Sequence, residues 1–261
     1  MRKILIIVTL LLFAQGLWAG EKTQPLKVGM ELQYPPFEMS DAQGNPTGIS
    51  VDLARALGKA LGREVVIENI AWDGLIPSLK TGKIDLIISS MTITPEREKS
   101  VAFSIPYAQS NLAILSYPRS GVAGIEQLNQ PGRRVAVKKG TTGHLYARDH
   151  LKKAKILVFD KENAAVMEVI NKRADGFLYD QLSIYRDWKR HPDRTVALLQ
   201  PFQKKPEYWG IAMRKGDAEL KKQVDAFIRQ AKSDGTFDAL AEKYLGDAKR
   251  NFEKLGIPFF F

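Results

Sequence analysis

Short apolar runs alternate along this chain with stretches whose apolar residues recur every three or four positions. Leu26-Lys27-Val28-Gly29-Met30 reads as a strand, β-branched Val65-Val66-Ile67 as another, and 84–88 as a buried one. Between the first two, Leu53, Leu57, Ala60 and Leu61 mark one face of a helix that Ser50 can cap and Gly62 can stop. Residues 72–80 read as a short helix closed by Gly82. The same grammar then returns. A strand over 134–137 leads into Gly140-Thr141-Thr142-Gly143 and a helix through His150. Strand 156–159, helix 163–171, strand 176–179 and helix 181–189 follow. The stretch PFQKKPEYWGIAMRKGD precedes two helices, over 219–233 and 236–245. Repeated strand–helix–strand order predicts an α/β protein with parallel sheets covered on both faces, built as two similar modules. The tail GDAKRNFEKLGIPFFF ends in proline and three aromatic rings, and is expected to dock on a lobe rather than hang free.

Composition adds the setting. With 261 residues, 44% hydrophobic and 26% charged, the chain has material for two lobes of about 100 residues, each with a core. The first 19 residues stand apart. Arg2 and Lys3 precede an apolar run over 4–13 broken only by Thr9, and Leu17-Trp18-Ala19 suits a cleavage site. The run is too short to span a bilayer, so it reads as a secretory signal with the mature chain starting near Gly20. There is no cysteine, which excludes disulfides, a lipid-modified N-terminal cysteine, cysteine catalysis and Cys-ligated zinc. His144, His150 and His191 lack metal-ligand spacing, and nothing calls for a metal or cofactor. A soluble protein of a bacterial periplasm fits these features. The formal charge is +10, with eight Lys/Arg against Asp149 alone between residues 132 and 157. That segment lacks the interleaved aromatics of a single-strand binder, so it reads as a solvated face able to attract anions or anionic lipid, not nucleic acid.

Three polar clusters fall at the carboxyl ends of predicted strands: Ser89-Ser90-Met91-Thr92, Gly140-Thr141-Thr142 and Tyr179-Asp180. Ligands of open α/β sheets bind at that edge. Each cluster alone is also ordinary helix-capping chemistry. One residue breaks the local rule. Thr94-Pro95-Glu96 announces a helix start, and Arg97 then sets a cation in the first turn, against the helix dipole. Its planar fork suits a carboxylate. Asp180 is a lone carboxylate at a strand end, able to receive an ammonium. A ligand carrying both groups is an α-amino acid.

Six stretches in order, YPPFEM (34–39), GISVDLARALGKALG (48–62), WDGLIPSLKTGKIDLIISSMTITPERE (72–98), VAVKKGTTG (135–143), ADGFLYDQ (174–181) and 210–246, carry a resemblance. The chain resembles the extracellular solute-binding proteins of polar amino-acid ABC importers, family 3, which include glutamine-, histidine- and lysine/arginine/ornithine-binding proteins. The resemblance implies the type II periplasmic binding protein fold: two lobes, each a mostly parallel sheet flanked by helices, joined by two hinge strands. Lobe one would comprise 25–111 and 210–261, lobe two 112–205, with hinges near 108–113 and 205–210. By motif position it implies that Arg97 and the Thr92 hydroxyl hold a ligand carboxylate, helped by the Thr142 backbone N–H. Asp180 and the Ser90 carbonyl would take the ammonium. Tyr34 and Trp72 would line the sides with Phe37 behind, and Glu31 and Lys138 would meet the far end of the ligand. Glu31 favours cationic or amide side chains. Lys138 pulls the other way, and the two can also simply pair. The resulting order is glutamine-like, then cationic, then acidic. The implied partners are a free polar amino acid and an inner-membrane ABC permease. The same fold also serves cyclohexadienyl dehydratases and amino-acid sensors. In those enzymes a glutamate follows the Gly-Gly-Thr segment, whereas here Gly140-Thr141-Thr142-Gly143-His144 holds no acid.

Overall fold

A computed structural model describes residues 24–257. The expected secretory signal and the last four residues lie outside that range. Two five-stranded sheets form the frame. The first runs, in spatial order, Val65–Asn69, Leu26–Met30, Leu86–Ile87, Ala212–Met213 and Ala102–Phe103. The second runs Lys155–Phe159, Arg134–Lys138, Gly176–Asp180, Leu112–Ser116 and Val196–Leu198. Each is parallel except for one strand, Ala212–Met213 in the first and Leu112–Ser116 in the second, which runs against both of its neighbours. Those two strands are the ones that enter each sheet after the chain has crossed between lobes. The crossings themselves, Ala108–Ser110 and Glu207–Trp209, pair antiparallel with each other.

The predicted elements occur with shifted bounds. The helix expected after Ser50 is Ile49–Ala60, and its N-cap is Gly48, not Ser50. Gly48 has φ 118, and a Cβ there would stand 2.4 Å from the Phe37 carbonyl oxygen, so no other residue fits the turn. Ser50 instead lies in the first turn, with its hydroxyl turned to Glu38 at 2.6 Å. Residues 72–80 divide into a 3-10 turn, Trp72–Gly74, and the helix Leu75–Lys80. The last helix departs most. It continues through Gly246 to cover Thr236–Lys254. A helical glycine costs about 1 kcal/mol relative to alanine. Packing overrides that here, because Phe252 and Ile257 are both buried. The helix touches both lobes. Lys243 Nζ and Tyr244 Oη donate to Asp52 of helix Ile49–Ala60 at 2.8 and 2.7 Å. Two turns on, Phe252 meets Tyr185 of the second lobe edge-on, ring centroids 5.7 Å apart.

Candidate functional site

Arg97 sits in a single helical turn, Pro95–Glu98, whose N-cap hydroxyl on Thr94 accepts from the Arg97 N–H. The side chain does not run to the surface or to Glu96 and Glu98. It folds inward and is 7% exposed. Nη1 donates to the Thr92 carbonyl at 2.7 Å and Nη2 to the Gly140 carbonyl of the second lobe at 3.0 Å. The guanidinium carbon stands 5.2 Å from the Trp72 ring centroid, within cation–π range. Burial lowers its pKa to about 10, leaving it charged at neutral pH. Gly140 takes φ 71 and passes so close that an added Cβ would stand 3.3 Å from Trp72 Nε1. The guanidinium therefore reaches backbone on both sides of one cleft.

Asp180 closes the fully buried strand Gly176–Asp180 and opens helix Gln181–Arg190. Its Oδ1 accepts from the Ser183 N–H at 2.9 Å. Its Oδ2 is buried and receives no hydrogen bond of good geometry among the described residues, with the Tyr34 phenol the one hydroxyl beside the carboxylate. Arg97 and Asp180 line the same cleft, together with Thr92, Ser90, Thr142, Tyr34, Trp72 and Glu31. Phe37 lies behind, stacked on Tyr34 at 5.4 Å and edge-on to Trp209 at 4.8 Å. Tyr179 adds a ring from the second lobe, edge-on to Tyr34 at 5.9 Å. Burial, with the Asp180 charge adding to it, pushes the Tyr34 phenol well up. Thr142 is the first residue of helix Thr142–His150, behind the N-cap Thr141.

Glu31 and Lys138 pair with each other across the lobes, buried, and Lys138 does not line the cleft. Lys138 is also the exception in the basic segment, being 3% exposed. Arg133 and Arg134 hold Asp175 there, while Lys139 and Arg148 reach across to Asp73 and Glu96. The expected solvated face is thus partly an inter-lobe seam.

Residues 26–247 match the family model of the bacterial extracellular solute-binding proteins, family 3. The chain belongs to that family. Among family relatives, the ABC transporter arginine-binding protein 1 of Escherichia coli (strain K12) is 32% identical over 249 residues, 94% of this chain and 99% of the relative. The crystal structure of an ancestral amino acid-binding protein, a precursor of cyclohexadienyl dehydratase, is similar at 40% identity and TM-score 0.77, covering 84% of this chain and 95% of that one. An ancestral arginine-binding protein, solved with arginine and with glutamine, is 35% identical at TM-scores of 0.77 and 0.76, covering 85% of this chain and 98% of that one. These neighbours carry the type II periplasmic binding fold, as expected from the motifs. The family and these relatives are binding proteins. Among the described residues no helix is long and apolar enough to cross a membrane. The family match ends at residue 247, so the last turns of helix Thr236–Lys254 lie beyond it.

Two acids in this family 3 cleft were not legible as site residues. Glu38 sits beneath the serine cluster and accepts from Ser50, Ser89 and Ser90 hydroxyls at 2.6, 3.2 and 3.1 Å. Ser89 in turn accepts the Glu31 N–H at 3.0 Å, and Ser90 takes a left-handed backbone, φ 50. Glu38 thus braces the turn that carries the Ser90 carbonyl. Burial raises its pKa from 4.5 to about 8, against the lowering effect of the three hydroxyls. The folded form then holds a proton that the unfolded chain releases above about 4.5, so stability falls as pH rises from there toward 8. Burial also pushes the Glu162 carboxyl up, while its ion-pair partner Arg186 opposes the rise. Glu38→Gln is therefore expected to flatten the wild-type decline by about 1 kcal/mol or more between pH 5 and 8 in urea titrations. Superimposable pH profiles of the two proteins would refute the assignment. Glu207, the second acid, lies on an inter-lobe strand behind Lys204 and Lys205, where nothing local in the sequence marks it.

Proposed function

We propose that the cleft clasps one polar α-amino acid by its charged end, and that the loaded protein delivers it to an ABC permease of the inner membrane from the periplasm. The observation that carries this reading is the buried Asp180 carboxylate, with no ion-pair partner among the described residues and an Oδ2 lacking a well-formed hydrogen bond, in the same cleft as the buried Arg97. Leaving such an atom without a donor costs about 1–3 kcal/mol, and more for a charged group, which an incoming ammonium recovers. Arg97, the Thr92 hydroxyl and the N–H at Thr142 take the carboxylate in this reading. Asp180 and the Ser90 carbonyl take the ammonium, and Tyr34 and Trp72 flank the chain of the ligand. The lobes, 25–111 with 210–261 and 112–205, close about hinges near 108–113 and 205–210. Because the ligand touches both lobes, its binding favours the closed arrangement.

The Glu31–Lys138 pair neutralises the two charges nearest the far end of the ligand. Asp180 and Glu207 then outnumber Arg97, which favours cationic and amide side chains and disfavours acidic ones. The similarity to an arginine-binding protein that also accepts glutamine supports the same choice. The reading does not extend to a dehydratase, since the first turn of helix Thr142–His150 contains no acid. The test is a thermal-shift screen of the twenty common L-amino acids on protein first unfolded and refolded to remove carried ligand. A basic or amide amino acid is expected to raise Tm by several degrees at millimolar concentration. A flat response to all twenty overturns the proposal.

A further inference from the structure

Glu207 enters the cleft from the second crossing strand. The Ile93 N–H donates to the Tyr208 carbonyl and the Gly210 N–H to the Met91 carbonyl, at 2.8 and 3.1 Å, so the strand Glu207–Trp209 lies alongside 91–93. That alignment brings the Glu207 carboxylate to Thr92. Its Oε2 accepts from Thr92 Oγ1 of the first lobe at 3.3 Å and from Thr142 Oγ1 of the second at 2.8 Å. Its Oε1 accepts from Gln203 Nε2 at 3.0 Å. Burial raises its pKa, and the Gln203, Thr142, Arg97 and Thr92 groups oppose that rise. The Thr92 hydroxyl is the very group that the proposed function assigns to the ligand carboxylate, and Arg97 and the Thr142 N–H lie beside the Glu207 contacts. The two ends of the clasp therefore differ. At one, a protein carboxylate already engages the hydroxyls; at the other, Asp180 Oδ2 receives no hydrogen bond of good geometry among the described residues.

A threonine hydroxyl has one proton, so it cannot donate to Glu207 and to a ligand carboxylate at once. A ligand carboxylate brought to Arg97 would also be repelled by the nearby Glu207 carboxylate. We propose that Glu207 is a resident carboxylate that an amino acid must displace from the Thr92 hydroxyl in order to bind. The residue then sets specificity: a ligand is admitted only when its own carboxylate outcompetes Glu207 at the Thr92 hydroxyl. Glu207 also bridges Thr92 of the first lobe and Thr142 of the second.

This inference rests on the amino-acid reading of the cleft, and the test separates the two. Calorimetry compares wild type with Glu207→Gln and Glu207→Ala, using the tightest binder among the twenty common L-amino acids and the amine that lacks its carboxylate. Near-ultraviolet circular dichroism checks that each variant is folded. The substitutions are expected to tighten the amino acid by about tenfold while leaving the amine unchanged or weaker. If wild type binds an amino acid but neither folded variant binds it more tightly, the role of Glu207 is overturned and the proposed function stands. If both ligands tighten equally, Glu207 acts on lobe closure and not on the carboxylate, and the competition is overturned. If wild type and variants bind none of the twenty, both readings fall.

Discussion

Arg97→Ala is expected to weaken amino-acid binding by about a thousandfold or more, with the fold retained. The guanidinium is buried, charged and tied to backbone carbonyls of both lobes, with Trp72 on its face. Alanine would leave a ligand carboxylate in a dry cleft with no cation, a loss of about 3–5 kcal/mol. It would also release the Thr92 and Gly140 carbonyls, so a modest fall in Tm accompanies the change. Arg97→Lys does not rescue, because one ammonium cannot reach both carbonyls and grip a carboxylate side-on. The measurement is calorimetry on refolded protein. Affinity within tenfold of wild type in the alanine variant would mean that the carboxylate is held elsewhere.

Asp180→Asn separates binding from stability. The amide oxygen can still accept from Ser183, so the cap of helix Gln181–Arg190 survives. What disappears is a buried negative charge with an oxygen lacking a well-formed hydrogen bond. Amino-acid affinity is expected to fall by about a hundredfold or more, since the ammonium loses its counter-charge. The ligand-free variant is expected to melt higher than wild type, because the native residue strains the empty fold for the sake of the ligand. Opposite signs in calorimetry and thermal melting are the signature. A variant that binds as wild type does, or that loses stability and affinity together, contradicts the assigned role.

How far the sequence reached follows from the range of the forces involved. Thr94 and Asp180 were readable because capping is settled within three residues, and both caps form. The strands in the two sheet centres were readable because burial on both faces demands unbroken apolar runs. Glycine signals were less secure. Gly62 follows its helix with φ 63, yet Gly246 does not end its own, because Phe252, eight residues beyond Tyr244, is buried and settles the matter by packing. Ser50 looked like a cap, but the turn at Gly48 needs a backbone that only glycine supplies, and Glu38 claims the serine hydroxyl. At the site, Arg97 stood out because it violates the helix dipole. Glu38 and Glu207 violate nothing locally. Their surroundings come from segments more than ten residues distant in one case and from the other lobe in the second. Glu31 and Lys138 were left open between meeting a ligand and pairing, and only their placement on facing lobes decides for the pair.

The long terminal helix, moored at Asp52 on one side and lodged against Tyr185 on the other, makes a third mechanical link behind the two strand crossings. A pair of crossings by itself leaves a swing free. With a rigid rod laid over the joint, the swing must either drag Phe252 off its aromatic seat or bend the rod. In the proposed closure, wetting of that oily patch at the rear would be geared to the gape at the front, from the side that the amino acid does not touch.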